Sequence, residues 1–229
     1  MMEQAANPRV KALAFDLYGT LLDLNSLIPP CADLFGNQGQ ELCRLWRAKQ
    51  LEYTHLLNLM ARFEDYWLVT EKALIFACHR LNLACPPALQ DKLLEQFFHL
   101  GLFPDVLPAL QALPGYTLAV LSSGSPKMLQ VALENAGIKK FFGQIISTSE
   151  VKSYKPNPLV YQWAAQKLGL KPVEIGLVSA NAWDAMGGKS CGFWVCWVNR
   201  EDLPWDDLGF TPDTAVSRLT DLPDILPPD

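Results

Sequence analysis

The residues of this chain best suited to chemistry are a short series of acids, hydroxyls and one lysine. Asp16 closes the apolar run VKALAFD, with Tyr18 and Thr20 just beyond it. Ser122 and Ser123 close TLAVLSS, Lys155 lies in SYKP after a third such run, and Ser179, Asn181 and Asp184 follow IGLVS. A carboxylate can attack as a nucleophile or carry a proton, a lysine can counter its charge, and hydroxyls can orient an anion. Singly, each has a plain structural use. Asp16 can cap a turn, Ser122 and Ser125 can be loop or helix N-cap residues, Lys155 can be solvated, and Asp184 can support a helix N-terminus. Jointly the plain uses weaken, because an acid, a hydroxyl, a cation and a second acid follow successive apolar runs.

Those runs read as strands. Residues 10–17 are too few for a buried helix and meet the turn residue Gly19, which predicts a buried strand ending at Asp16. Beyond Pro104 the pattern alternates, with helices expected over 106–112, 127–136, 159–168 and 182–191 and strands over 117–121, 144–147, 175–178 and 194–198. Apolar strands alternating with helices predict a parallel sheet covered on both faces, whose ligands sit beyond the carboxyl ends of the strands. Between these parts, Leu42, Leu45, Trp46, Tyr53, Leu56, Leu57 and Met60 recur at helical spacing, as do Trp67, Leu68, Leu74, Ile75, Cys78 and Leu81. Pro29-Pro30 and Pro86-Pro87 punctuate that block. The expected class is α/β, a Rossmann-like doubly wound parallel sheet with a helical subdomain inserted after its first strand. The segment after Arg200, rich in Pro and Asp, reads as surface loop.

Composition removes other chemistries. With 229 residues, 50% hydrophobic and 19% charged, the chain can bury a sizeable core and is not a disordered segment. Its 19 basic against 24 acidic residues give a net charge of -5, the wrong sign for gripping a phosphate backbone, so no nucleic-acid partner is expected. His55, His79 and His99 all lie in the helical block, with no HExxH and no Cys/His cluster, which leaves little for a zinc hydrolase or a serine triad. The six cysteines are dispersed without a CxxC, the opening MMEQAANPRV lacks the pattern of a leader, and no apolar stretch approaches spanning length. A cytoplasmic protein with no membrane partner is the expectation. GGKS at 187–190 resembles the end of a P-loop, but Trp183 stands where the earlier glycine is required.

In their order and spacing, FDLYGTL, SSGSP, YKP and VSANAWD resemble the haloacid dehalogenase-like superfamily, and specifically its L-2-haloacid dehalogenases. The similarity spans nearly the whole chain, including LWRAKQLEYT in the helical block. It implies a core of residues 1–21 and 104–229 with a helical cap over 22–103. Most of the superfamily are magnesium-dependent phosphatases that carry DxD at the first motif and a second acid four residues before the last aspartate. Here Tyr18 and Ala180 occupy those positions. A phenol with a pKa near 10 is a poor general acid at neutral pH, and alanine ligates nothing. A haloacid needs neither lost function. Halide leaves unprotonated, and the substrate carboxylate calls for cations and oriented donors to sit beside an attacking carboxylate.

The resemblance implies the following roles. Asp16 attacks the halogen-bearing carbon with inversion and forms an ester, which water then hydrolyses to a 2-hydroxy acid. Arg47 receives the halide. Ser122 and the backbone amides after Asp16, at Leu17 and Tyr18, hold the substrate carboxylate, and Ser123 is a further substrate contact. Lys155 counters the charge on Asp16, with Ser179 and Asn181 orienting it, while Asp184 positions or activates water and Thr20 completes the catalytic set. Leu51, Tyr66 and Trp183 match an apolar pocket, and Tyr161 hydrogen-bonds at the site edge. The implied partner is a small anionic halogenated substrate. The resemblance implies no metal and no cofactor, and a homodimer is common in the family. Two departures stand out: Ser123 replaces the asparagine of SNG, and Ala180 replaces a serine. A phosphatase of the same superfamily and a catalytically silent binding protein remain alternatives.

Overall fold

The structure, a computed structural model, describes residues 10–226. The expectation about a leader at the N-terminus lies outside those residues. Strand β1 (Ala12–Phe15) is buried along its whole length. A two-residue strand, β2 (Leu22–Asp23), leads into helices α1 (Ile28–Phe35), α2 (Gly39–Leu59), α3 (Tyr66–Arg80) and α4 (Pro87–Glu95). Strand β3 (Gly101–Leu102) then pairs antiparallel with β2, so the helical block leaves and rejoins the chain through a two-stranded stem. Pro29 and Pro30 stand in the first turn of α1, where missing amides break no helical bond, and so mark the start of that helix.

The alternation then runs α5 (Val106–Gln111), β4 (Thr117–Ser122), α6 (Pro126–Asn135), β5 (Gln144–Ser147), α7 (Pro158–Leu168), β6 (Ile175–Ser179), α8 (Ala182–Ser190) and β7 (Trp194–Val198). The six-stranded sheet has the order β5-β4-β1-β6-β7-β8 and is parallel throughout. Its sixth member, β8 (Thr214–Val216), corrects the reading of the segment after Arg200 as loop alone. Three residues are too few to show a pattern. Asp213 docks the strand instead, its backbone N–H donating to Val195 O at 3.0 Å and its carboxylate accepting from Val195 N at 2.8 Å. Short α9 (Leu222–Ile225) follows.

The order of strands changes direction at β1, which lies between β4 and β6. Residues just past β1 therefore enter the crevice at the switch point of the sheet. Beneath them Leu13 and Phe15 are fully buried, and side chains of this kind each contribute roughly 1.5–3 kcal/mol by leaving water. In α2, Leu42, Trp46, Gln50 and Thr54 recur every fourth residue and form its buried stripe. Trp46 Nε1 donates to Thr70 O at 2.8 Å and Gln50 Nε2 to Thr70 Oγ1 at 2.6 Å, fixing α2 against α3. All six cysteines are free thiols. Among the described residues no helix is long and apolar enough to cross a membrane.

Candidate active site

Asp16 follows β1 directly, and its backbone N–H still donates to Val178 O of β6 at 3.0 Å. The turn after it is tight. Leu17 O accepts from both Leu21 N and Leu22 N at 2.9 Å, and Gly19 takes φ 90°, a value natural to glycine. This turn brings Thr20 back beside Asp16. Asp16 Oδ2 accepts from Thr20 Oγ1 and from Asn181 Nδ2, each at 2.8 Å, and Oδ1 accepts from Lys155 Nζ at 3.1 Å. Thr20 Oγ1 accepts in turn from Ala180 N at 2.9 Å, so the loop after β6 supports the loop after β1.

Lys155 is 1% exposed and also donates to Asp184 Oδ2 at 2.8 Å. Asp184 is fully buried, and its Oδ1 accepts from Tyr161 Oη at 2.8 Å. Burial by itself would lower the pKa of the Lys155 ammonium, but Asp16 and Asp184 outweigh it and hold the group above the ordinary lysine value. Burial raises Asp184 against the opposing pull of Lys155. Burial also keeps Tyr161 well above the ordinary phenol range. Asn58 of α2 fixes the loop that carries Lys155. Its Nδ2 donates to Tyr154 O at 2.7 Å, and its Oδ1 accepts from Tyr154 N at 3.0 Å and Ser153 Oγ at 3.1 Å.

The opposite wall comes from α2 and α3. Arg47 Nη1 donates to Gln50 Oε1 at 2.8 Å and to Tyr66 Oη at 3.1 Å. Asp65 caps α3 by accepting from Trp67 N at 2.8 Å, which sets Tyr66 as the first helical residue. Between the walls lies a cavity of about 10 Å³, lined by Asp16, Tyr18, Ser122 and Ser123 on the sheet side and by Arg47, Leu51, Thr54 and Tyr66 on the helical side, with Trp183 of α8. That space holds about one water molecule.

The structure thus brings Asp16, Thr20, Lys155, Asn181 and Asp184 into one hydrogen-bonded set, and Asp16 alone of these lines the cavity. Asn181 reaches Asp16 directly, whereas Ser179 Oγ accepts only from the backbone N–H of Asn181, at 3.2 Å. Ser122 Oγ accepts from Gly124 N at 3.3 Å. The Leu17 side chain is buried below the site, and Tyr161 stands behind Asp184, edge-on to Phe193, rather than at the cavity's rim. His55 packs edge-on against Trp183 and burial lowers its pKa, in keeping with a packing role.

Sequence reading missed Gln50, Thr54, Asn58 and Arg200. Gln50 had a weak signal, three residues after Arg47 on a helix. Arg200 had none. Its Nη2 donates to Thr20 O and to Asp105 Oδ1, both at 3.0 Å, and Asp105 also accepts from Leu219 N, tying the turn after Asp16 to the residue before α5 and to the C-terminal segment. Among the described residues no group of three or more His, Cys, Asp or Glu side chains is placed to hold a metal ion.

A family profile of haloacid dehalogenase-like hydrolases matches residues 10–192. The chain is 41% identical to an (S)-2-haloacid dehalogenase of Pseudomonas sp. strain YL, over 92% of this chain and 91% of the relative. It is 38% identical to haloacetate dehalogenase H-2 of Moraxella sp. strain B, over 91% and 94%. It superposes with a TM-score of 0.90 and 31% identity on the L-2-haloacid dehalogenase of Xanthobacter autotrophicus with chloropropionic acid covalently bound, covering 95% of this chain and 98% of that one. Sequence and fold agree along almost the full length, and the chain belongs to the haloacid dehalogenase-like hydrolases, among their L-2-haloacid dehalogenases.

Proposed function

We propose that the protein hydrolyses small 2-haloalkanoic acids to 2-hydroxy acids through an ester on Asp16, without a metal. One observation carries most weight. Asp16 is held by three donors at the wall of a small cavity, with the guanidinium of Arg47 on the facing wall. Oδ1 accepts one hydrogen bond against two at Oδ2, so it keeps the more available lone pair for attack. As the Asp16 oxygen bonds to C2, the carbon–halogen bond breaks and its electron pair leaves as halide beside Arg47. Ser122 and the amides of Leu17 and Tyr18 hold the substrate carboxylate, while Leu51, Tyr66 and Trp183 enclose the alkyl group and halogen. Water then adds to the carboxyl carbon of Asp16. Collapse of that adduct breaks the bond from the carboxyl carbon to the substrate oxygen; one proton of the water leaves with the 2-hydroxy acid, the other passes to solvent, and Asp16 is restored as the carboxylate. Asp184 acts on this second half from behind Lys155.

Lys155 also supports the metal-free reading, because its ammonium already stands between the two carboxylates at 3.1 and 2.8 Å. Residues 22–103 serve as a cap closing over a core of 1–21 and 104–229, a division supported by the β2–β3 stem. We further propose a cytoplasmic homodimer, in keeping with the six free thiols and the family resemblance, with sedimentation velocity as the measure of assembly.

Protein stripped with chelator and incubated with L- and D-2-chloropropionate and with haloacetates should release halide, with the L isomer preferred over the D. Asp16→Asn should abolish release. Magnesium-dependent release of phosphate from phosphate esters, with no halide from any haloacid, overturns the assignment.

A further inference from the structure

Arg47 does not face the cavity alone. The guanidinium donates to Tyr66 Oη at 3.1 Å, and Tyr66 is buried and lines the same cavity. A phenol oxygen that accepts from a cation still has its own hydrogen to give, and accepting makes that hydrogen a stronger donor. Tyr18 stacks on Tyr66 with ring centroids 6.2 Å apart and an interplanar angle of 24°. Tyr18 is 3% exposed, and its hydroxyl, buried, has no hydrogen-bond partner among the described residues. A buried hydroxyl without a partner is unusual in a folded protein, and here it belongs to a residue that lines the cavity with Asp16 and Arg47. Ser123 of the same lining offers only a short side chain.

We propose that the hydroxyls of Tyr66 and Tyr18 join Arg47 as hydrogen-bond donors to the departing halide, and that they set the pocket's preference among halogens. The proposal rests on the dehalogenase reading and deepens it. As the bond from Asp16 to C2 forms and the carbon–halogen bond breaks, the electron pair goes to the halide, and both phenols keep their protons. Burial raises both phenols above their ordinary pKa, which favours the protonated, donating form. Small halides accept hydrogen bonds more strongly than large ones, so oriented O–H donors favour fluoride and chloride over bromide.

First-turnover halide release from L-2-chloropropionate and L-2-bromopropionate, followed by rapid quench, isolates this step from ester hydrolysis. Tyr66→Phe should slow chloride release on the order of tenfold and bromide release about threefold or less, with Tyr18→Phe acting in the same direction. Equal slowing for both halogens, or none, overturns the proposal. A second measurement does not depend on turnover: chloride titration followed by tryptophan fluorescence should give several-fold weaker binding in Tyr66→Phe than in the wild type. Unchanged affinity overturns the pocket. If the wild type releases no halide from any haloacid, the dehalogenase reading fails. The titration then still decides the pocket, which stands if chloride binding depends on Tyr66 and falls if it is absent or unaltered.

Discussion

Lys155 balances the charge of the buried site, with its ammonium 3.1 Å from Asp16 and 2.8 Å from Asp184. Removing one partner from a buried ionic set leaves unmatched charge and costs on the order of 3–5 kcal/mol. Lys155→Met should therefore unfold at markedly lower urea, and Lys155→Met/Asp184→Asn should recover part of the loss by removing one stranded charge. The same lysine sets a pH dependence. Its pKa is raised in the folded protein, net of the burial that opposes the rise, so the folded state holds the proton more tightly. Its contribution is full below the unfolded lysine value of about 10.4 and is lost as pH climbs through the folded value. Urea midpoints measured from pH 8 upward should decline above that point more steeply in the wild type than in Lys155→Met. Asp16 was legible as a candidate because it closes an apolar run, and Lys155 and Asp184 because they stand in short motifs, SYKP and VSANAWD, that follow such runs. Asn58 and Arg200 were not, because their partners at Tyr154 and Thr20 lie 96 and 180 residues away. Local spacing says nothing about contacts made only by folding.

Among the elements, α8 shows how a misleading motif acquires a physical meaning. Its GGKS run serves close packing rather than phosphate binding. A Cβ added at Gly187 would lie 2.4 Å from Tyr161 Oη and 2.7 Å from Pro156 Cβ, and one at Gly188 would lie 2.4 Å from Leu177 Cδ2. The two glycines let α8 approach α7 and β6 closely enough for Tyr161 to reach Asp184. Gly187→Ala should lose about 1–3 kcal/mol by overpacking and slow halide release, as thermal unfolding and the halide assay would show. Unchanged stability together with unchanged activity would mean that α8 can shift freely. The long elements were readable because periodicity needs several residues to declare itself. Strands β2, β3 and β8, of two or three residues, fall below that length, and side-chain and tertiary contacts hold them instead.

At the scale of the molecule, a chain of net charge -5 lines the cavity at the seam with Arg47, so on the proposed function an anionic substrate meets a local cation rather than the overall charge. Surface charge beyond about 8 Å is screened at physiological salt, so the local arrangement decides binding. A cavity of about 10 Å³ is smaller than a haloacid, so on the proposed function substrate entry is expected to widen the seam between the helical block and the sheet. Asn58 is a main tie across that seam, with three hydrogen bonds to the loop of Lys155. Asn58→Ala removes those bonds at a cost of roughly 1–3 kcal/mol if the loop groups stay unpaired, while leaving every cavity-lining side chain in place. The expected result is faster hydrogen exchange at the Tyr154 amide with the strand amides unchanged, a raised KM, and a first-turnover rate at saturating substrate within about twofold of the wild type. If the first-turnover rate falls with KM unchanged, Asn58 acts by aligning Lys155 with Asp16, and the closure of the seam depends on the aromatic contacts of Tyr18 with Tyr66 and of His55 with Trp183.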